Sequence, residues 1–123
     1  MNDEIYRELI LEEYKRPKNK GRLAKATHES ACKNPLCGDE LAVTLLVRNG
    51  IMHDIKFEGV GCAISQASAS LFTEHIKGKT VEAIGKMDEK VILELLGIDL
   101  NPMRMKCAVL IMRCVAAALE EKR

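Results

Sequence analysis

Residues 40–60, ELAVTLLVRNGIMHDIKFEGV, decide the fold. The run 40–47 is rich in β-branched and aliphatic side chains, Asn49-Gly50 is a turn signal, and a second strand-like run returns through Ile51 to Val60. The stretch predicts an antiparallel hairpin. On its N-terminal side an edge strand near residues 24–31 is only weakly signalled. Further back, DEIYRELILEEYK (3–15) spaces Ile5, Tyr6, Leu9 and Ile10 as a helix does, with Asp3 and Glu4 favouring its N-terminus and Pro17 ending it. The basic loop Arg16–Arg22 that follows is either a solvated face or a docking surface.

On the C-terminal side the period changes after Gly61-Cys62. AISQASASLFTEHIKG sets Ile64, Ser68, Leu71, Phe72 and His75 at helical spacing, and Gly78 closes the helix. Two short helices fit residues 80–85 and 88–96, the second introduced by Asp88. Pro102 opens a long last helix with a stripe of Cys107, Leu110, Ile111, Cys114, Val115 and Ala118. Helix, then sheet, then helices is an α+β order: a small antiparallel sheet packed by helices on one face, ending in a long C-terminal helix, all within one domain spanning 1–123.

A chain of 123 residues buries about two thirds of the surface its unfolded form exposes, so it has core enough without staples. Its 19 basic and 18 acidic residues make no long-range field toward nucleic acid, and two Phe, two Tyr and no Trp offer few stacking platforms. The opening MNDEIYRELI lacks the basic and apolar regions of a secretory signal, and no apolar run is long enough to span a membrane. The expectation is a soluble, cytoplasmic protein. In that compartment five cysteines are ligands, nucleophiles or core residues rather than disulfides.

Three of them lie at junctions: Cys37 in the loop before the hairpin, Cys62 at the strand-to-helix turn, and Cys107 near the start of the last helix. Junctions sit at the ends of layers, so the three are able to converge on one rim. Cys114 lies seven residues after Cys107, about 10.5 Å along a helix, too far to share one metal ion with it, and is assigned to the core. Cys32, in sequence that reads as flexible, is either incidental or an auxiliary thiol. In NPLCGDE (34–40), Asp39 follows Cys37 by two residues; in an extended segment such residues point the same way, and Gly38 permits a close turn. Asp39 is then an oxygen ligand beside the three sulfurs, or the cap of a turn. A Cys₃Asp set differs from the closed donor sets of structural zinc and suits a thiophilic centre with one weak, exchangeable ligand. Cys62 at a helix start gains from the helix dipole, which favours thiolate. Lys106 and Arg104 beside Cys107 either favour its thiolate or are simply solvated.

NPLCGDE, FEGVGCAISQASAS with HIKGKTVE, and MRMKCAVL, in this order, resemble the three cysteine motifs of the U-type iron–sulfur cluster assembly scaffolds, the IscU/SufU/NifU N-terminal family. YRELILEEYKRPKNKG is similar to the start of the SufU branch, and the resemblance covers nearly the whole chain. It implies a scaffold rather than an enzyme: sulfur from a cysteine desulfurase and Fe²⁺ are built into a transient [2Fe–2S] cluster and passed to apo iron–sulfur acceptor proteins. The implied ligand set is Cys37, Asp39, Cys62 and Cys107, with Cys107 the persulfide acceptor, Lys106 and Cys32 auxiliary, and Zn²⁺ able to occupy the same site. The rim of the three cysteines and the loop Arg16–Arg22 would then be the docking face, and a homodimer bridged by a cluster remains open. Two features depart from the family's branches. LNPMRMKC has neither the LPPVK chaperone motif nor the His before the third cysteine, where Lys106 stands. The interval from Cys62 to Cys107 also lacks the insertion usual in zinc-relay SufU proteins.

Three functions follow in order of preference. A cluster scaffold would use thiolate attack on a desulfurase persulfide by an exposed, low-pKa cysteine. A zinc-dependent sulfurtransferase partner would relay persulfide sulfur without ever building a cluster. A purely structural zinc module ranks last, because the core suffices without metal. His28, His53 and His75 are expected as surface or packing residues, and Met103, Met105 and Met112 as core or rim packing.

Overall fold

The computed structural model describes residues 3–35 and 38–120. Its elements are α1 (Asp3–Lys15), β1 (His28–Asn34), β2 (Asp39–Arg48), β3 (Ile51–Val60), α2 (Ala63–Ile76), α3 (Val81–Gly85), α4 (Glu89–Leu96) and α5 (Pro102–Glu120). The three strands form an antiparallel meander in the order β1-β2-β3. The α+β expectation therefore holds.

The central hairpin turns at Asn49 and Gly50, whose φ angles of 54° and 73° are both positive, as the turn that matches strand twist requires. Its inner face carries Leu41, Val43 and Leu45 opposite Gly59, Phe57 and Ile55, and a register shift at Leu46/Val47 brings Met52 into the same core. Gly59 has a specific reason to be there: a Cβ at this position would lie 2.0 Å from the Glu40 carbonyl oxygen. The edge of β3 is closed by the basic loop. Phe57 N donates to Asn19 O and Gly21 N donates to Phe57 O, so residues 19–21 run beside the strand and shield its free backbone groups.

The edge strand β1 lies four residues later than the weak signal near 24–31 suggested, and it takes Cys32 with it. Cys32 is not in flexible sequence; it pairs with Leu41 of β2. The weak signal has a physical cause, because HESACKN has no β-branched residue, so pairing to β2 decides its conformation.

Helix α2 is the centre of the helical layer, packed by α1, α4 and α5 and by β3. Its Ala and Ser residues allow these close approaches and its hydroxyls are satisfied: Ser68 donates to the Ala108 carbonyl, Ser70 donates to Glu13, and Thr73 donates to the Ala69 carbonyl. In α1 the inward stripe is buried Ile10 and Glu13 with half-buried Tyr6 and Leu9; Ile5, expected on that face, is 61% exposed. Glu13 replaces it as an inward residue because two partners satisfy it, Lys18 Nζ at 2.7 and 2.8 Å and Ser70 Oγ at 2.7 Å. Thr80 and Asp88 cap α3 and α4, and Gly97 ends α4 with φ 73°. No helix among the described residues is long and apolar enough to cross a membrane.

Candidate metal centre

Two of the site's elements meet through one carboxylate. Asp39 opens β2 and is fully buried; its Oδ1 accepts a hydrogen bond from the Cys62 backbone N–H at 2.9 Å, and its Oδ2 lies 3.9 Å from Cys62 Sγ. Cys62 is the N-cap residue of α2 but makes no side-chain capping bond. Its sulfur is therefore not committed to the helix, while the helix begins properly through Gln66 N donating to the Cys62 carbonyl at 3.1 Å. The dipole of a 14-residue helix points its positive end at this thiol and carboxylate.

The third member comes from α5. Asn101 Oδ1 accepts from Arg104 N at 2.8 Å and so caps the helix start, and Cys107 follows more than one turn inside. The donor atoms of Asp39, Cys62 and Cys107 all lie within 4.8 Å of one another. Two ligands at about 2.3 Å from one tetrahedral ion are about 3.8 Å apart, so the three atoms need close only slightly to hold a single cation. Two soft sulfurs and one hard oxygen fit a thiophilic divalent ion with one weaker bond.

The fourth expected ligand, Cys37, lies outside the described residues. Its neighbour does bear on it: Gly38 has φ 71° and donates its N–H to the Asn34 carbonyl, so the backbone turns at Gly38. Gly38 is needed for its left-handed conformation, as expected of a glycine permitting a close turn.

Cys32 stands apart from the triad. It contacts Cys114, whose thiol also lies 3.6 Å from the Ser30 carbonyl and 3.5 Å from that of Leu41. Cys114 is buried, as assigned. Lys106 and Arg104 are exposed at the head of α5. Cys107, expected as an exposed sulfur, is only 2% exposed, because it already lies on the face of α5 turned toward the core. Of the described triad, Cys62 is the more open. In the basic loop, Arg16 pairs with Glu12, Lys18 with Glu13, and Arg22 with Glu29 and Glu58, so much of its charge is matched within the chain. Met105 and Met112 pack against the core and Met103 is 60% exposed at the rim.

Sequence reasoning passed over two residues that shape the site. Gly61 allows Asp39 and Ser65 to close on the backbone just before Cys62, for a Cβ there would lie 2.6 Å from Asp39 Oδ1 and 2.4 Å from Ser65 Oγ. Ser65 in turn donates to the Cys62 carbonyl at 3.1 Å. The only signal in the sequence was a glycine directly before a candidate ligand. Beside the centre a groove of about 450 Å³ is lined by Tyr14, Lys20, Gly59, Val60, Gly61 and Gln66.

Comparison with known proteins agrees with this geometry. The family model described as NifU-like N terminal domain matches residues 5–122. The chain is 38% identical to the zinc-dependent sulfurtransferase SufU of Bacillus subtilis, covering 88% of this chain and 84% of that one. It is 37% identical to the iron-sulfur cluster assembly scaffold protein IscU of Thermotoga maritima, covering 95% and 94%. Among solved structures, a putative iron-sulfur cluster assembly scaffold protein for the SUF system from Fervidobacterium islandicum AW-1 superposes with a TM-score of 0.79 at 34% identity, covering 97% and 99% of the two chains. A matched model over nearly the full chain, relatives above one third identity and a shared three-stranded α+β fold lead to one conclusion: this chain belongs to the NifU-like N-terminal domain family.

Proposed function

We propose that this protein is a cytoplasmic scaffold for iron–sulfur cluster assembly, formed by its single domain. It takes sulfur from a cysteine desulfurase and Fe²⁺ from solution, holds them as a [2Fe–2S] cluster on Cys37, Asp39, Cys62 and Cys107, and passes the cluster to apo acceptor proteins. The observation that carries the reading is the convergence of Asp39, Cys62 and Cys107 donor atoms within 4.8 Å, from three different elements. A site meant to release its cargo needs one ligand that exchanges readily, and the hard oxygen of Asp39 is that ligand.

Sulfur arrives by thiol exchange. The Cys107 thiolate attacks the outer sulfur of the desulfurase persulfide, the S–S bond breaks, and the donor cysteine leaves as a thiolate. Because Cys107 is buried, this step requires the first turn of α5 to move aside; residues 102–104 and Lys106 are exposed and hold that turn only loosely to the core. The desulfurase docks on the rim, where Val60 (63% exposed) and Met103 present apolar surface beside the centre. Each transferred sulfur takes two electrons to become sulfide, one supplied by an Fe²⁺ that becomes Fe³⁺ and one by an external reductant.

A second reading has its own observation. Donor atoms within 4.8 Å of one another also suit a single Zn²⁺, and the Bacillus subtilis relative at 38% identity is named a zinc-dependent sulfurtransferase, so a zinc-dependent sulfur relay is the second reading. The two readings separate in one anaerobic experiment. The protein is incubated with Fe²⁺, cysteine, a reductant and a cysteine desulfurase, followed by visible and Mössbauer spectroscopy, then challenged with an apo-ferredoxin. A [2Fe–2S] spectrum that forms on the protein and moves to the ferredoxin supports the scaffold. A blank spectrum, with zinc retained and desulfurase turnover raised, replaces it with the relay.

A further inference from the structure

Two of the described cysteines have no place in the metal centre, and they face each other where β1 packs on α5. Cys32 sits on the inward side of edge strand β1, packed against the core, and Cys114 lies beneath it on α5. The Cys114 thiol reaches the carbonyls of Ser30 and Leu41, at 3.6 and 3.5 Å, which bracket Cys32: Ser30 is two residues before it and Leu41 is its partner across the sheet. Ser30 Oγ lies 4.0 Å from Cys32 Sγ on the same side. Cys107 is seven residues away along α5, about 10.5 Å, so the pair is separate from the centre.

We propose that Cys32 and Cys114 are a disulfide site, a dithiol that a peroxide oxidises to an intramolecular bridge joining β1 to α5. Cys32 is partly buried on an edge strand and is the more accessible of the two, hence the point of attack; Cys114 is fully buried. The Cys32 sulfur attacks the peroxide O–O bond, giving a sulfenic acid at Cys32 and one hydroxide, which takes up the thiol proton as water. The Cys114 sulfur then displaces the sulfenic hydroxyl, which leaves as a second water with the Cys114 proton. Two thiols and one hydrogen peroxide thus become one disulfide and two waters. Burial, with the Cys32 sulfur adding to it, pushes the Cys114 thiol up to about 12, which disfavours its direct attack on a peroxide.

The bridge would act on the centre from behind. Cys32 is two residues from Asn34, the strand partner of Asp39, and Cys114 shares a helix with Cys107. Oxidation would tie the strand leading into the Asp39 turn to the helix that carries Cys107, restraining the movement of α5 on which sulfur acceptance depends.

Trypsin resolves every pairing, because cleavage after Lys25, Lys33, Arg48, Lys56, Lys77, Lys106, Arg113 and Lys122 leaves each of the five cysteines on its own peptide. The zinc-loaded protein is treated with a few equivalents of hydrogen peroxide, denatured in an alkylating agent, digested without reductant and analysed by mass spectrometry. The expected product is peptide 26–33 joined to peptide 114–122, lost on adding dithiothreitol. In Cys32→Ser, a substitution at a partly buried position, Cys114 should remain a free thiol after the same treatment while far-UV circular dichroism is unchanged. Accumulation of Cys32 as sulfinic acid beside an alkylated Cys114, or pairing of Cys32 with any other cysteine, overturns the proposal. So does oxidation of Cys114 in Cys32→Ser. None of these outcomes depends on whether the metal centre carries zinc or a cluster.

Discussion

Gly61 stands so close to Asp39 that any side chain would strike its carboxylate: the position a Cβ would take is 2.6 Å from Oδ1. The same position is 2.4 Å from Ser65 Oγ. Gly61→Ala should therefore push Asp39 off the Cys62 N–H while sparing the core. We expect at least a tenfold loss of zinc affinity in a competition titration against a chromophoric chelator, with a stability loss of about 1 to 2 kcal/mol in urea unfolding. Unchanged affinity would mean that the Asp39 carboxylate does not depend on this approach.

Asp39→Ala tests the exchangeable ligand. The variant loses the bond to Cys62 N and should be less stable by about 1 to 3 kcal/mol, yet it should still fold, since the cores of the hairpin and of α2 are untouched. A cluster assembled on it should pass to apo-ferredoxin more slowly than from the wild type. Faster transfer or faster spontaneous loss counts against the role given to the oxygen.

Glu13 is the buried charge that fastens α1 and the basic loop to α2. Glu13→Ala leaves the buried Ser70 hydroxyl without its acceptor, although Ser70 Oγ still accepts from Lys18 N, and it removes the partner of the Lys18 amine, so we expect a loss of about 2 kcal/mol in denaturant midpoint analysis. Lys18→Ala, which removes the more exposed partner, should cost less. Equal effects would mean that the ion pair, rather than the buried Ser70 bond, dominates.

Gly59→Ala should cost about 3 kcal/mol or more, because the added methyl meets backbone at Glu40 rather than a side chain able to rotate away, and because φ is 145°. A melting temperature within a few degrees of wild type would show that β2 and β3 can separate at this crossing.

Alkaline pH offers a check on the buried thiol. Cys114 is raised from its ordinary value of 9.0 to about 12 by burial, then by Cys32. The folded state therefore keeps a proton that the unfolded chain gives up, so this contribution to stability is complete below pH 9 and falls as the pH rises from 9 toward 12. In native protein at pH 9, iodoacetamide should leave Cys114 unmodified while unfolded protein reacts there fully, as peptide mapping will read. Prompt native labelling would place Cys114 within reach of solvent.

Much of this molecule was legible as a string because the relevant physics is local. Strand period, a two-residue turn with positive φ, the helix start at Asp88 and a proline opening α5 all act within a few residues. The sequence by itself determined the hairpin, the helices and three residues that the structure brings together, Asp39, Cys62 and Cys107. What it could not determine was depth and partnership across elements. Ile5, expected on the inner face of α1, is exposed, and Glu13 turns inward because Ser70, 57 residues on, satisfies its carboxylate. Cys107 is buried rather than exposed because α5 turns that face toward the core. Cys32 found Cys114 only when β1 and α5 packed, and Gly61 became necessary only when Asp39 closed on the start of α2. These are contacts between groups dozens of residues apart, and no spacing in the chain encodes a distance until the layers meet.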